Sequence, residues 1–386
     1  MRDNRLICQK GGVKILIASG GSGGHIFPAI ALAEELRLKE SSADIMFVGS
    51  DKALDRRIFE KEGFKYRLLS ANKLPYKASF NTLLFALKLS IDILKSLTII
   101  INYKPDAVVG FGGYISSPVI VAAYILGVPR MVHEQNVVPG RANAMLFRFA
   151  DRIAVSFNET KDHLGIYAKK AVFTGNPIRA SLLKDDKPGN IKKLGLDPKK
   201  FTILVIGGSQ GAHNLNKAFL ESLSKMGEDI RHTLQIIHIT GVADYGWANS
   251  AYKELSIEHR VYSFLDRIEE AYSASDLVVT RSGASAIFEI AYFGRPMILI
   301  PYPFALSHQS ENARIFSARG AALKIDEKDL SGDIMQDRIE GLLKDRNKLS
   351  EMGGSARRMS APNSSRSLAE AVLSIRKRDN SDIRKE

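Results

Sequence analysis

The chain has 386 residues, which at the roughly 150 residues of a typical domain predicts two domains. Hydrophobic residues make up 45% and charged residues 25%, values that suit globular cores and exclude a disordered chain, a collagen-like repeat or a multi-span membrane protein. With 55 Lys and Arg against 42 Asp and Glu, the formal charge of +13 favours an anionic partner (nucleic acid, nucleotide phosphates or an acidic membrane), while the single cysteine, Cys8, allows no intramolecular disulfide and points to the cytoplasm.

In chain order, the apolar run Val13 to Ala18 is too short for a signal-peptide core or a membrane span and reads as a first buried strand. PAIALAEELRLKE, DIMFVGS, DAVVGFGG, VIVAAYILG and RMVHEQN continue an alternation of helical patterns and β-branched runs. Between them, Leu83 to Ile101 is strongly apolar but carries Lys88, Asp92 and Lys95 on one helical stripe, so it is expected to be amphipathic. After the polar stretch GNPIRASLLKDDKPGNIKKLGLDPKK the pattern restarts with FTILVIGGSQGAHNLNKAFLESL, QIIHITG, RVYSFL, DLVVTRSG and MILIPYP. Such alternation predicts an α/β fold with doubly wound parallel sheets. A linker near Gly175–Pro177 divides it into residues 1–176 and 177–362, and SLAEAVLSIRKR predicts a closing helix over about 363–378, packed back on the first domain, before a disordered tail at 379–386.

KILIASGGSGGH and ILVIGGSQGAHN each place Gly-Gly-Ser at the end of a strand. Glycines there let backbone approach a phosphate, and the following helix presents unpaired N–H groups and a partial positive charge. Neither loop is a GxGxxG fingerprint or a P-loop, and one such loop alone is as often a packing device. Two in register favour a pair of similar halves facing each other. The second half adds the small-residue turn Ser282-Gly283-Ala284 and a short helix carrying Glu289, a carboxylate able to accept from ribose hydroxyls or simply to be solvated. Ser307, His308, Gln309 and Asn312 offer neutral groups of the kind that bind sugar hydroxyls. In the first half His25 follows the glycine loop, with Pro28 near the start of the next helix, and His133, Glu134, Gln135 and Asn136 fall at a strand end, where open α/β sheets bind ligands. An imidazole at a helix N-terminus is biased toward its neutral form and suits a general base or a phosphate donor, although a lone histidine is more often structural.

The ordered set GGSGGHIFPAIALA, VVGFGGYISSP, HEQN, GNPIR, GGSQGAHNLN and RSGASAIFEIA resembles the MurG family of peptidoglycan N-acetylglucosaminyltransferases, from about Val13 to Ile325. The resemblance implies a GT-B arrangement of two Rossmann-like domains. It also implies inverting transfer of GlcNAc from UDP-GlcNAc to the 4-hydroxyl of MurNAc-pentapeptide on undecaprenyl diphosphate, by a peripheral protein of the inner membrane's cytoplasmic side. Carried over residue by residue, donor contacts correspond to Ser22, Gly23, Gly24, Asn136, Arg179 and Ser209, to Leu265 as backbone reader of uracil, to the segment Ala284, Ser285, Ala286, Ile287 and Phe288, to Glu289 at the ribose and to Gln309 at the sugar. His25 and Glu134 resemble the family's acceptor-facing residues, His25 being the preferred catalytic base and Glu134 its competitor. Ser22 stands where threonine is frequent, a change that keeps the hydroxyl and should leave binding intact, whereas His308, where a second glutamine is frequent, and His213, where arginine often stands, put secondary donor contacts in doubt.

No two aspartates are spaced by one residue, so the metal-holding Asp-x-Asp pattern is missing and no cofactor or essential bound metal is expected. Gly63 to Ile91 contains no acidic residue but holds Lys65, Arg67, Lys73, Lys77 and Lys88 among Leu74, Tyr76, Phe80, Leu83, Leu84 and Leu87. This basic and apolar segment, about 65–95, is read either as an anionic-membrane surface or as a core-facing helix with a basic rim. Two rival functions are a non-hydrolysing epimerase on UDP-sugars and a non-catalytic basic module. The second lacks a nucleic-acid-binding motif, so no nucleic acid is expected.

Overall fold

A computed structural model describes residues 12–70, 80–207, 212–303 and 308–376, the side chains of 80–86 excepted. The first sheet contains β1 (Lys14–Ala18), β2 (Asp44–Ser50), β3 (Lys65–Leu69), β4 (Ala107–Gly110), β5 (Arg130–Glu134), β6 (Arg152–Val155) and β7 (Ala171–Phe173), in the order β3-β2-β1-β4-β5-β6-β7. The second contains β8 (Phe201–Ile206), β9 (Leu234–Ile239), β10 (Glu258–Tyr262), β11 (Leu277–Thr280), β12 (Met297–Leu299) and β13 (Ala322–Lys324), in the order β10-β9-β8-β11-β12-β13. Every strand pair is parallel. Helices cover both faces of each sheet, so central strands such as Ile15-Leu16-Ile17 and Leu277-Val278-Val279 are wholly buried and show continuous apolar runs instead of alternation.

In both sheets the strand order reverses beside the first strand, between β1 and β4 and between β8 and β11. Crevices open at the carboxyl ends of such strands. The glycine loops and polar strand ends therefore fall where a ligand can reach them. The closing helix, Ser364–Ile375, buries Leu368, Ala369 and Val372 in the core beneath β1 and against the Gly23–Lys39 helix, with Lys39 Nζ 2.8 Å from Glu370 Oε1.

Two expectations change. The helix after β1 begins at Gly23, so Pro28 lies inside it, not at its start. In the helix Phe80–Tyr103, Asp92 is not part of a solvated stripe: it is 4% exposed and accepts from Ser70 Oγ at 2.9–3.0 Å, whereas Leu87, Ile91 and Leu94 face outward. No helix among the described residues is long and apolar enough to cross a membrane. Lys73, Leu74, Tyr76, Lys77, the tail at 379–386 and the side chains of Phe80, Leu83 and Leu84 lie outside the described residues.

Candidate active site

The loop after β1 is held from below by Asp55, on the helix Ala53–Lys61. Its Oδ1 and Oδ2 accept from Gly21 N at 3.1 and 2.9 Å, and Oδ2 also accepts from Ser50 N at 2.8 Å and Ser50 Oγ at 2.6 Å. Gly21 has φ +83°, and a Cβ on Gly20 would lie 2.4 Å from Asp55 Oδ2 and 2.8 Å from Ser50 N, so both glycines are required by geometry. Asp55 carried no mark in the sequence, since it sits 34 residues from Gly21 on a mostly polar helix.

Ser22 caps the next helix in extended conformation without bonding its amides. Its Oγ lies 3.1 Å from His25 Nδ1 instead. Gly113, in the first turn of the Gly113–Ile125 helix after β4, closes the other side, where an added Cβ would lie 3.4 Å from His25 Nδ1. Burial pulls the His25 pKa below its usual value, opposed by a hydrogen bond with the Gly20 backbone and by the Asp55 charge. His133, fully buried against the Phe111 ring, is held more firmly neutral: burial pushes it down to about 4, against its bond to the Gly175 carbonyl.

Glu134 faces its own loop. The residue is 1% exposed, Oε1 accepts from Asn136 N at 2.9 Å and Asn136 Nδ2 at 3.1 Å, and Oε2 accepts from Gly140 N at 3.1 Å and Asn143 Nδ2 at 2.8 Å. A carboxylate with that many internal donors shapes the turn after β5. Asn136 is thereby aimed at the second domain, where its Oδ1 accepts from Asn312 Nδ2 at 3.0 Å. Fully buried Asn312 also accepts from Val137 N at 3.0 Å and donates to Ser282 O at 3.1 Å, while His308 Nδ1 donates to Val138 O at 2.8 Å.

From the second domain, the helix Ala284–Tyr292 brings its N-terminus against that of the Gly23–Lys39 helix. Pro28 has no N–H for the Gly24 carbonyl four residues earlier, and Ser285 Oγ donates to that carbonyl from across the cleft at 2.9 Å. The amides of Gly23 and Gly24, and those of Ala284, Ser285 and Ala286, belong to first turns without intrahelical acceptors and converge here. Ile287 and Phe288 are buried side chains of the second core, and the Ile287 N–H closes the first helical bond to Gly283 O. Glu289, 8% exposed, accepts from Tyr272 OH at 3.3 Å. Burial raises its pKa, while the Arg179 cation and the Tyr272 bond lower it. Arg179 lies with Cζ 4.1 Å from the Phe27 ring centroid, and its buried Nε has no hydrogen-bond partner among the described residues.

Gln309 accepts from Tyr302 N through Oε1 at 2.9 Å, and its carbonyl takes a bond from Ser282 Oγ at 2.8 Å. Leu265, partly buried after β10, packs on the second core. His213 Nδ1 lies 2.9 Å from Asp244 Oδ1, so the position of the frequent arginine is occupied by a carboxylate-paired imidazole. Ser209 and Ser307 lie outside the described residues. The structure thus gathers Ser22, Gly24, His25, Asn136, Arg179, Ser285 and Glu289 about one cleft, while both carboxylate oxygens of Glu134 accept from donors of its own loop.

Two facing doubly wound domains whose helix N-termini meet across a cleft define the GT-B class of nucleotide-sugar enzymes. Residues 15–155 match the glycosyltransferase family 28 N-terminal domain, and residues 202–371 match the family's C-terminal domain. A UDP-N-acetylglucosamine–N-acetylmuramyl-(pentapeptide) pyrophosphoryl-undecaprenol N-acetylglucosamine transferase of Halothermothrix orenii is 38% identical over 358 residues, covering 91% of this chain and 95% of that protein. A transferase of the same description from Thermodesulfovibrio yellowstonii is 38% identical over 368 residues, covering 95% of this chain and 100% of the relative. The crystal structure of Acinetobacter baumannii MurG superposes with a TM-score of 0.73 at 26% identity, covering 94% of this chain and 99% of that one. The chain belongs to this family of peptidoglycan N-acetylglucosamine transferases.

Proposed function

We infer that this chain transfers GlcNAc, with inversion, from UDP-GlcNAc to the MurNAc 4-hydroxyl of undecaprenyl-diphospho-MurNAc-pentapeptide. The observation that carries the reading, beyond family membership, is the meeting of Ser285 with Gly24, which brings the amide-rich turns of both domains to one point. A UDP-sugar spanning the two domains would lay its diphosphate among these helix ends, and a donor aimed at developing charge contributes about 3 kcal/mol. The buried Nε of Arg179 is a further donor that a ligand would complete.

In this reading Glu289 accepts from the ribose hydroxyls, Leu265 meets the uracil through its backbone, and Gln309 and Asn136 hold the sugar. Ser209 contributes at the diphosphate. His25 is the general base: kept neutral by burial, with Nδ1 engaged by Ser22, it takes the acceptor hydroxyl proton through Nε2 as oxygen attacks the anomeric carbon and UDP departs. His25 is favoured over Glu134 because the latter's oxygens are occupied by four donors of its own loop.

We place the division between domains near Gly175–Pro177 and the lipid acceptor on the first. Leu87, Ile91, Leu94, Tyr124 and Ile125 are exposed beside Lys88 and Lys95, which supports docking on an anionic membrane, as a peripheral protein of the cytoplasmic face. Incubation with UDP-GlcNAc in the presence and absence of a lipid-linked MurNAc acceptor tests the function. Acceptor-dependent release of UDP supports it, whereas conversion of the sugar without acceptor would mark an epimerase.

A further inference from the structure

We propose that the first domain holds an internal pocket for the isoprenoid segment nearest the diphosphate of its lipid acceptor, an inference that rests on the lipid-acceptor reading above. A half-enclosed cavity of about 240 Å³ lies between the helices Phe80–Tyr103, Gly113–Ile125 and Arg141–Leu146. Leu89, Ile93, Pro118, Val121, Leu146 and Phe149 form its walls. Its one buried carboxylate, Asp92, is already hydrogen-bonded to Ser70 Oγ, so the interior asks for hydrocarbon and not for a cation. An apolar cavity of roughly 150 Å³ takes a benzene-sized guest, so this one has room for a longer branched segment.

Three features select a diphosphate-linked chain. At the inner end Tyr114 lines the cavity and directly follows Gly113, the residue that abuts His25, so a lipid lying in the pocket would have its headgroup beside the base. Met145 lines the cavity and is 51% exposed, so the cavity reaches the protein surface there. Arg148, also in the lining and exposed, adds a cation beside Met145, suited to the anionic membrane surface from which such a lipid would be drawn.

Val121→Phe and Ala142→Leu fill the cavity. Each should lower the ratio of kcat/KM for an undecaprenyl-linked acceptor to that for a short-alkyl acceptor by about tenfold or more, the cost of excluding one or more methylenes. In parallel, the unmodified chain is irradiated with a photoreactive polyprenyl diphosphate, and crosslinks are expected within 114–121 or 142–149. An unchanged ratio in a folded variant, or crosslinks confined to other peptides, would overturn the pocket. Loss of the transfer reading itself would show separately, as no product from the short-alkyl acceptor with unmodified protein, and the crosslinking would still decide the pocket.

Discussion

Asp55→Asn probes the support of the catalytic loop. The carboxylate accepts from Gly21 N, Ser50 N and Ser50 Oγ, and an amide in its place retains one oxygen while turning its NH2 group against an N–H. With its oxygen in the Oδ2 place Asn keeps all three donors, but its NH2 then replaces Oδ1 opposite Gly21 N–H with no acceptor, and a buried polar group left unsatisfied costs about 1–3 kcal/mol. Taking about 2 kcal/mol, and about 2–4 °C per kcal/mol for a unit of the first domain's size, the melting temperature of that domain should fall by roughly 4–8 °C. Relaxation of Gly20 and Gly21 would displace His25, and a misplacement near 1 Å costs about 10²-fold, so kcat should fall by about that factor with KM for UDP-GlcNAc changed much less. A second readout separates positioning from bulk stability. The Asp55 charge raises the His25 pKa, and a base works only when neutral, so activity is lost as pH falls through that pKa. Removing the charge lowers the pKa and moves the acid limb of kcat/KM to lower pH. Steady-state transfer assays across pH, beside thermal melts, give both. A lowered Tm with kcat within about twofold of wild type and an unmoved acid limb would refute the positioning role.

His25→Gln should lower kcat by about 10²-fold or more while calorimetry shows UDP-GlcNAc affinity nearly unchanged, and a loss confined to affinity would make His25 a ligand instead of a base. In the unmodified enzyme the acid limb should lie below the ordinary histidine pKa of about 6.5, as burial of His25 requires. Glu289→Ala should weaken UDP-GlcNAc binding by roughly ten- to a hundredfold, the worth of about 1.5–3 kcal/mol for bonds to a charged group, and unchanged affinity would remove it from the ribose. Replacing exposed Leu87 and Leu94 with serine should reduce co-sedimentation with anionic vesicles without altering the melting curve.

The sheets were legible because buried parallel strands are written as uninterrupted β-branched runs, and the glycine loops because backbone near a phosphate tolerates little else. The closing helix showed as an apolar periodicity in SLAEAVLSIRKR. What escaped the sequence acts across distance. Asp55 meets Gly21 over 34 positions and Asn312 meets Asn136 over 176, and neither pairing leaves a local pattern. Asp92 shows the same limit: a carboxylate on a helical stripe suggests solvent, but it is buried against Ser70, supplied by its own fold. The missing N–H of Pro28 is written in the sequence, but its consequence, a carbonyl taken up by Ser285, lies across two domains and leaves no local pattern.

The most direct test of a donor held between two amide-lined turns and attacked by a hydroxyl that His25 deprotonates is the stereochemistry of the product. With α-linked UDP-GlcNAc and a MurNAc-pentapeptide acceptor on a lipid diphosphate, proton NMR should show a β-1,4-linked disaccharide, whose formation is abolished in His25→Gln. An α-linked product, or full activity in that variant, would contradict the single displacement described here.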